Sequence, residues 1–321
     1  MKSMNSLAER YLALLKKSLL NVLYLEGEAR IAYFVEHALR GTFPPITQAI
    51  DDFLRIKDSD KYLELKEARK YGNWLPYGGA GNLRQPDEVA ARNFLFTAHT
   101  MIGEARLDNI HECLDTIVRD DIPGDLIETG VWKGGATIFM RGFLAAHNLQ
   151  NRVVWVADSF EGLPPPSHER DQGWNLSKEV FQYLCVSMEE VQELFARYDL
   201  LDDRVRFIKG WFSDSLPKAP VERLALLRLD GDLYESTMDA LNNLYPKLSP
   251  GGFVIVDDYN ALPQCKEAVH DFRGRHLVED EILPIDQDSV YWRKAGNDFP
   301  GPSDASPSVR DLLKLLFRIR N

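Results

Sequence analysis

The chain has 321 residues, 45% of them hydrophobic and 27% charged, which is apolar material for one elaborated domain with additions and excludes both a minimal binding module and a disordered chain. Thirty-eight basic residues against forty-nine acidic ones leave a net charge of −11, the wrong sign for affinity built on neutralising phosphates, so no nucleic-acid partner is expected. Three scattered cysteines, Cys113, Cys185 and Cys265, make neither a disulfide framework nor a zinc knuckle and point to a reducing cytoplasm.

No apolar run approaches the ~18 residues of a spanning helix, and Glu9, Arg10, Lys16 and Lys17 interrupt the N-terminal stretch before a signal-peptide core could form. Neither a membrane span nor an export signal is expected. Leu7, Tyr11, Leu14, Leu15, Leu19, Val22 and Leu23 recur at helical spacing, which predicts an amphipathic helix packed on the body or on a second subunit, a membrane-surface role being the weaker alternative. Between Gly41 and Glu88 two helices are predicted, Ile46–Ile56 and Asp60–Tyr71, then a glycine-rich surface loop at Leu75–Asn82. Gly78, Gly79 and Gly81 have no strand before them and no Lys-Ser/Thr after them, so a P-loop is not expected.

From about Pro123 short apolar runs alternate with helical segments, the pattern of an α/β, doubly wound parallel sheet. The runs are Asp125–Glu128, Val153–Asp158, Val205–Ile208, Ala225–Asp230 and Gly252–Asp257. Helices are predicted at Ser187–Tyr198, where Ser187 and Glu190 have capping-box spacing, and at Thr237–Leu248. Phe139, Met140 and Phe143 follow at helical spacing and read as core, and His270 and His276 fall on a surface helix without a role. Leu277–Ile285 and Ser289–Arg293 read as an antiparallel pair closing the sheet. Residues 1–90 thus form an N-terminal helical cover, 91–293 the core, and 294–321 a linker with a basic amphipathic helix around Leu312, Leu313, Leu316 and Ile319.

Four of the five predicted strands end in an acid: Glu128, Asp158, Asp230 and Asp257, with Asp258 next and Asp232 close by. Ligands of open α/β sheets bind outside the carboxyl ends of the strands, so these side chains should line one crevice. Glu128-Thr-Gly130, leading into Gly134-Gly135, is a glycine-rich strand-to-helix turn, but an acid stands where a dinucleotide would put pyrophosphate. A cationic nucleoside such as S-adenosylmethionine suits it better. Asp158 is placed for ribose hydroxyls, with Ser159 and Phe160 flanking the adenine, although an acid ending a strand can also simply cap a turn. Trp132 and Lys133 lie in the turn as packing or contact. Asp230 and the pair Asp257-Asp258 are one strand–helix–strand unit apart, and carboxylates so close need shared protons or a cation; all-oxygen donors favour magnesium or calcium, and an open site magnesium. Arg228, inside an apolar strand, either pairs with an acid of the site or snorkels to the sheet edge.

The runs Ala98-His-Thr-Met-Ile-Gly103, Glu128-Thr-Gly-Val-Trp-Lys-Gly-Gly135, Val156-Ala-Asp-Ser-Phe160, Gly210-Trp-Phe212, Leu229-Asp-Gly-Asp232 and Val256-Asp-Asp-Tyr259 resemble the macrocin O-methyltransferase family, in order from about Leu7 to Arg293. Those enzymes use Mg2+ and S-adenosylmethionine to methylate deoxysugar hydroxyls of macrolide and related antibiotics. The resemblance implies a class I methyltransferase fold, a Rossmann-like, mostly parallel seven-stranded sheet. It implies cofactor contacts by Glu128, Thr129, Gly130, Asp158, Ser159 and Trp211 and metal ligation by Asp230, Asp257 and Asp258. Met101, Val131, Phe160 and Asp230 complete the candidate cofactor contacts. The expected acceptor is a sugar or glycosylated natural product, and a homo-oligomer is expected. A longer Gly41–Glu88 region and an additional Ala295–Asn321 tail leave a different glycoside open. Asp230 is the first candidate for proton acceptor, with Asp232 and a lid histidine, His168 in the Leu163–Trp174 loop, as alternatives. A methyltransferase of catechol-like phenols and a non-catalytic cofactor-binding protein are the competing readings.

Overall fold

The structure, a computed structural model, describes residues 6–71 and 97–296. The Leu75–Asn82 loop and the helix around Leu312 lie outside the described residues. Helix α1 spans Leu7–Leu19; its N-cap Ser6 accepts from Glu9 N–H, and Lys16 and Lys17 sit in the last turn, where they complement the carbonyl end of the helix dipole. It buries Leu12, Leu15 and Leu19 and ends earlier than its apolar pattern predicts, because Asn21 turns left-handed at φ 55°. A second helix, α2 (Leu25–Arg40), follows that the sequence reading did not separate. α3 (Ile46–Leu54) and α4 (Asp60–Tyr71) lie where expected. These N-terminal helices are held together by a buried Glu28–Arg69 ion pair and by Phe53, whose ring meets Phe34 edge-on at 4.8 Å. Among the described residues no helix is long and apolar enough to cross a membrane.

α5 (Gly103–Arg119) leads to β1 (Asp125–Thr129), α6 (Gly135–Ala146), β2 (Val154–Asp158), α7 (Met188–Arg197), β3 (Val205–Lys209), the single turn α8 (Phe212–Ser215) and β4 (Leu224–Leu229). α9 (Tyr234–Leu244), β5 (Leu248–Val256), α10 (Pro263–His276), β6 (Leu283–Pro284) and β7 (Val290–Arg293) complete the chain. The seven-stranded sheet has the order β3-β2-β1-β4-β5-β7-β6, with β7 antiparallel to its neighbours. Alternate residues face opposite sides, as the pleat requires. Leu126, Phe253 and Ile255 pack with Leu15, Ile110, Phe139 and Phe195 under α1, α5, α6 and α7, while Ile127, Val254 and Val256 pack with Leu241, Val269 and Phe272 under α9 and α10. α1 lies tight on α6 because Gly142 has no Cβ; one there would overlap Leu15 Cδ2.

Two predicted boundaries shift. The Thr237–Leu248 helix ends at Leu244, and a 3-10 turn over Tyr245–Lys247 delivers the chain into β5, which runs through Pro250-Gly-Gly252. Of the Leu277–Ile285 run only Leu283–Pro284 pairs, since Leu277 takes a left-handed φ of 53° to close α10.

His99 ties α1 to the end of α7: its backbone N–H donates to Leu19 O at 2.8 Å and its Nδ1 lies 2.9 Å from Tyr198 Oη. Burial, reinforced by the charges of Lys133 and Arg197, pushes its imidazole down to about 4. Because the folded pKa lies below the unfolded one, the unfolded chain takes up the proton first, and stability is lost as pH falls from about 6.5 towards 4. Denaturant unfolding should lose about 1–2 kcal/mol from this group between pH 7.5 and 5, the range allowing for solvent screening. The His99→Gln chain should lack that component; identical pH slopes for the two chains would refute it.

Candidate active site

The strand register assembles the site. Thr129 pairs with Leu229 and Leu229 with Val256, so the next residues of β4 and β5, Asp230 and Asp257, emerge side by side. Carboxylate oxygens of Asp230, Asp257 and Asp258 lie within 4.8 Å of one another. They open on a cavity of about 700 Å³ at the carboxyl edge of the sheet. Met101, Glu128, Gly130, Val131, Asp158, Ser159, Trp211, Asp230, Asp257 and Asp258 all line it. Thr129 and Phe160, also expected at the cofactor, are not among its lining residues. Thr129 is fully buried with Oγ1 donating to Arg228 O at 3.4 Å, and a left-handed φ of 58° turns the Phe160 ring into the core beside Phe207.

The β1–α6 turn brings backbone close to whatever fills the cavity. Gly130 has φ 84°, and a Cβ there would collide with the Asp230 carbonyl, whose carbon would be 2.7 Å away. Asp158 braces the turn: Oδ2 accepts from Val131 N–H at 2.7 Å and Oδ1 from Phe160 N–H at 2.8 Å. Its capping role is therefore real, Ser159 Oγ also donates to Oδ1 at 3.3 Å, and the residue lines the cavity. Glu128 is 2% exposed; one oxygen meets Arg228, while the other, Oε2, is buried with no partner among the described residues. Burial pushes Glu128 up to about 8 against the pull of Arg228. An unpaired buried carboxylate oxygen beside a glycine turn fits a ligand ammonium group.

Arg228 does not snorkel. It is wholly buried in β4, and its guanidinium donates to Glu128, to Asp230 Oδ2 at 2.7 Å and to Asp257 Oδ1. The other Asp257 oxygen accepts from Arg106 of α5, a residue the sequence reading missed, whose Nε also pairs with Asp286 at 2.7 Å. Burial and then the charge of Asp257 push Asp230 up to about 6. Burial and neighbouring acids raise Asp232 and Asp258 well above the usual carboxylate range. Asp258 Oδ2 is buried without a partner among the described residues. All-oxygen donors, one of them orphaned, and a surplus of negative charge fit a hard divalent cation.

The remaining wall is the segment from Ser159 to Val186. Asp171, 1% exposed, accepts from Tyr234 N–H at 2.7 Å and Glu235 N–H at 3.2 Å and so caps α9. Trp132 Nε1 donates to Tyr183 O at 2.9 Å, fastening the segment to the donor turn as well. Leu163, the three prolines 164–166, Leu176 and Phe181 give this wall its apolar face. His168, the lid candidate, does not line the cavity; it stacks on Tyr234 at 4.6 Å.

The comparisons with known proteins agree with this geometry. The macrocin O-methyltransferase (TylF) family matches residues 8–294. The demethyldecarbamoylnovobiocin O-methyltransferase of Streptomyces niveus is 52% identical over 206 residues, 63% of this chain and 78% of that protein. The mycinamicin III 3''-O-methyltransferase of Micromonospora griseorubida is 53% identical over 203 residues, 62% of this chain and 79% of that one. The solved structure of the O-methyltransferase NovP superposes with a TM-score of 0.70 at 41% identity, covering 90% of this chain and 99% of its own. With a class I sheet order, an acid-lined cavity at its carboxyl edge and a match over nearly all of the described residues, the chain belongs to the macrocin O-methyltransferase family and is a methyltransferase.

Proposed function

We propose that the protein transfers the methyl group of S-adenosylmethionine to a hydroxyl of a sugar on a glycosylated natural product, with Mg2+ at Asp230, Asp257 and Asp258. The observation that carries the reading is the meeting of these three carboxylates beside the orphaned oxygen of Glu128 at one end of one cavity. The names of the relatives, demethyldecarbamoylnovobiocin O-methyltransferase and mycinamicin III 3''-O-methyltransferase among them, support a glycosylated acceptor.

Glu128 Oε2 would receive the donor's ammonium, Asp158 its ribose hydroxyls, and Trp211, 37% exposed at the rim, would cover it. When bound, the cation would polarise the acceptor hydroxyl and orient it toward the sulfonium methyl. The apolar wall from Leu163 to Phe181 would exclude water and hold the acceptor in line behind that methyl, the kind of positioning worth up to about 7–11 kcal/mol in intramolecular models. A carboxylate must then take the hydroxyl proton. Asp230 is tied to Arg228 and belongs to the cation set, which lowers its basicity; Asp232 has its pKa raised, lines the same cavity and makes no side-chain hydrogen bond among the described residues. This favours Asp232 over Asp230 as proton acceptor.

Incubation with S-adenosylmethionine, Mg2+ and a panel of glycosides and catechols, read by mass spectrometry, tests the reading. A methyl gain on a glycoside, abolished by EDTA and restored by Mg2+, is expected. Turnover on catechols alone would transfer the reading to phenols, and turnover indifferent to EDTA would remove the metal. Exposed Phe34, Phe43, Ile46, Ile50 and Leu54 of the cover support a homo-oligomer, which light scattering would detect, and three free cysteines suit a cytoplasmic setting.

A further inference from the structure

Both oxygens of Asp257 accept from guanidiniums, Oδ1 from Arg228 and Oδ2 from Arg106. Arg228 also reaches Asp230 and Glu128, and Arg106 reaches Asp286 and, at 3.6 Å, Asp288. Both guanidiniums are buried, and arginine keeps its charge throughout the pH range in which proteins fold. A cluster of acids at a sheet edge ordinarily has to be held together by a cation or by shared protons. Here two residues supplied from β4 and α5 do that work.

Resting on the Mg2+ reading above, we propose that Arg228 and Arg106 are positioning residues that act as permanent internal counter-cations, keeping the cation-binding carboxylates assembled when no metal is present and holding their affinity for Mg2+ low. Mg2+ is then an exchangeable partner of the reaction, not a structural ion. A metal-assembled site couples metal binding to folding, so that chelators unfold it; this site is assembled by the fold.

The test is calorimetric titration of Mg2+ and thermal melting, with and without EDTA, on the full chain and on Arg228→Met, Arg228→Lys and Arg106→Gln. Wild type should melt within a few degrees of the same temperature with Mg2+ or EDTA. Arg228→Met should melt lower in EDTA, recover with Mg2+, and bind Mg2+ at least ten-fold more tightly, because one positive charge has left the cluster. Arg228→Lys, which keeps the charge, should return the Mg2+ affinity towards wild type; Arg106→Gln should shift it in the same direction as Arg228→Met, and carries the test if Arg228→Met does not fold. A purely structural role would lower every melting temperature without tightening Mg2+. Unchanged or weaker Mg2+ binding in Arg106→Gln and Arg228→Met, or a wild-type chain that unfolds in EDTA, would overturn the inference alone. No Mg2+ binding by any form, wild type included, would overturn the cation site itself.

Discussion

Replacing Asp232 with asparagine is expected to lower kcat by about 10²–10⁴-fold, the usual contribution of a positioned general base, while Mg2+ and donor affinity stay close to wild type. The expectation rests on where the side chain stands. Asp232 follows Gly231 in a tight turn just past β4, with a left-handed φ of 62° that aims it away from the strand. Ser236 Oγ donates to Gly231 O at 2.6 Å and Leu233 N–H to the same oxygen at 2.6 Å, so the turn is braced from α9. Burial and the charges of Asp230, Asp257 and Asp158 raise its pKa and hence its basicity. Asp230→Asn should differ in kind, losing Mg2+ affinity as well as turnover. Calorimetry paired with steady-state kinetics separates the two. Should Asp232→Asn turn over at a near-normal rate while Asp230→Asn still binds Mg2+ but is inactive, the base is Asp230.

Gly130→Ala is expected to abolish measurable donor binding. An added Cβ would occupy the space of the Asp230 carbonyl, which is backbone and has no rotamer to escape into. The left-handed φ of 84° adds about 1–2 kcal/mol of steric cost for any L side chain, and forced overpacking typically adds about 1–3 kcal/mol. The clash can be relieved only by parting the tips of β1 and β4, which carry Glu128 and Asp230. Titration with S-adenosylhomocysteine should therefore show at least a hundred-fold loss of affinity, alongside a lowered melting temperature. Affinity within ten-fold of wild type would show that the turn yields more easily than its packing implies.

Much of this site was legible because its acids fall at one topological place. Strands of a parallel sheet announce themselves by short apolar runs, and the residue after each run is at the carboxyl edge whatever the side-chain packing. What was not legible is tertiary. Arg106 reaches Asp257 across 151 residues of sequence, and nothing local in Gly103–Arg119 marks it out from other helical arginines. α5 itself carries Leu107, Ile110, Leu114 and Ile117 at helical spacing, a signal that could have been read. The direction of the Phe160 ring was not legible either, because a single left-handed φ sets it and the sequence Asp-Ser-Phe has no glycine to betray it. Arg228 was narrowed to two roles by its apolar neighbours; choosing between them needed the register that sets Glu128 beside it.

The segment between β2 and α7 is fastened by Asp171 to the start of α9, by Ser167 to Glu235, by Arg170 to Glu267 and Asp271 of α10, and by Tyr183 to the indole of Trp132. These attachments fall on α9, α10 and the donor turn rather than on the carboxylates of the site. It is in effect an exchangeable cassette: grafting the corresponding stretch of a relative onto these attachment points should swap acceptor preference while leaving methyl-donor handling intact. A fold built this way can diversify its products one segment at a time.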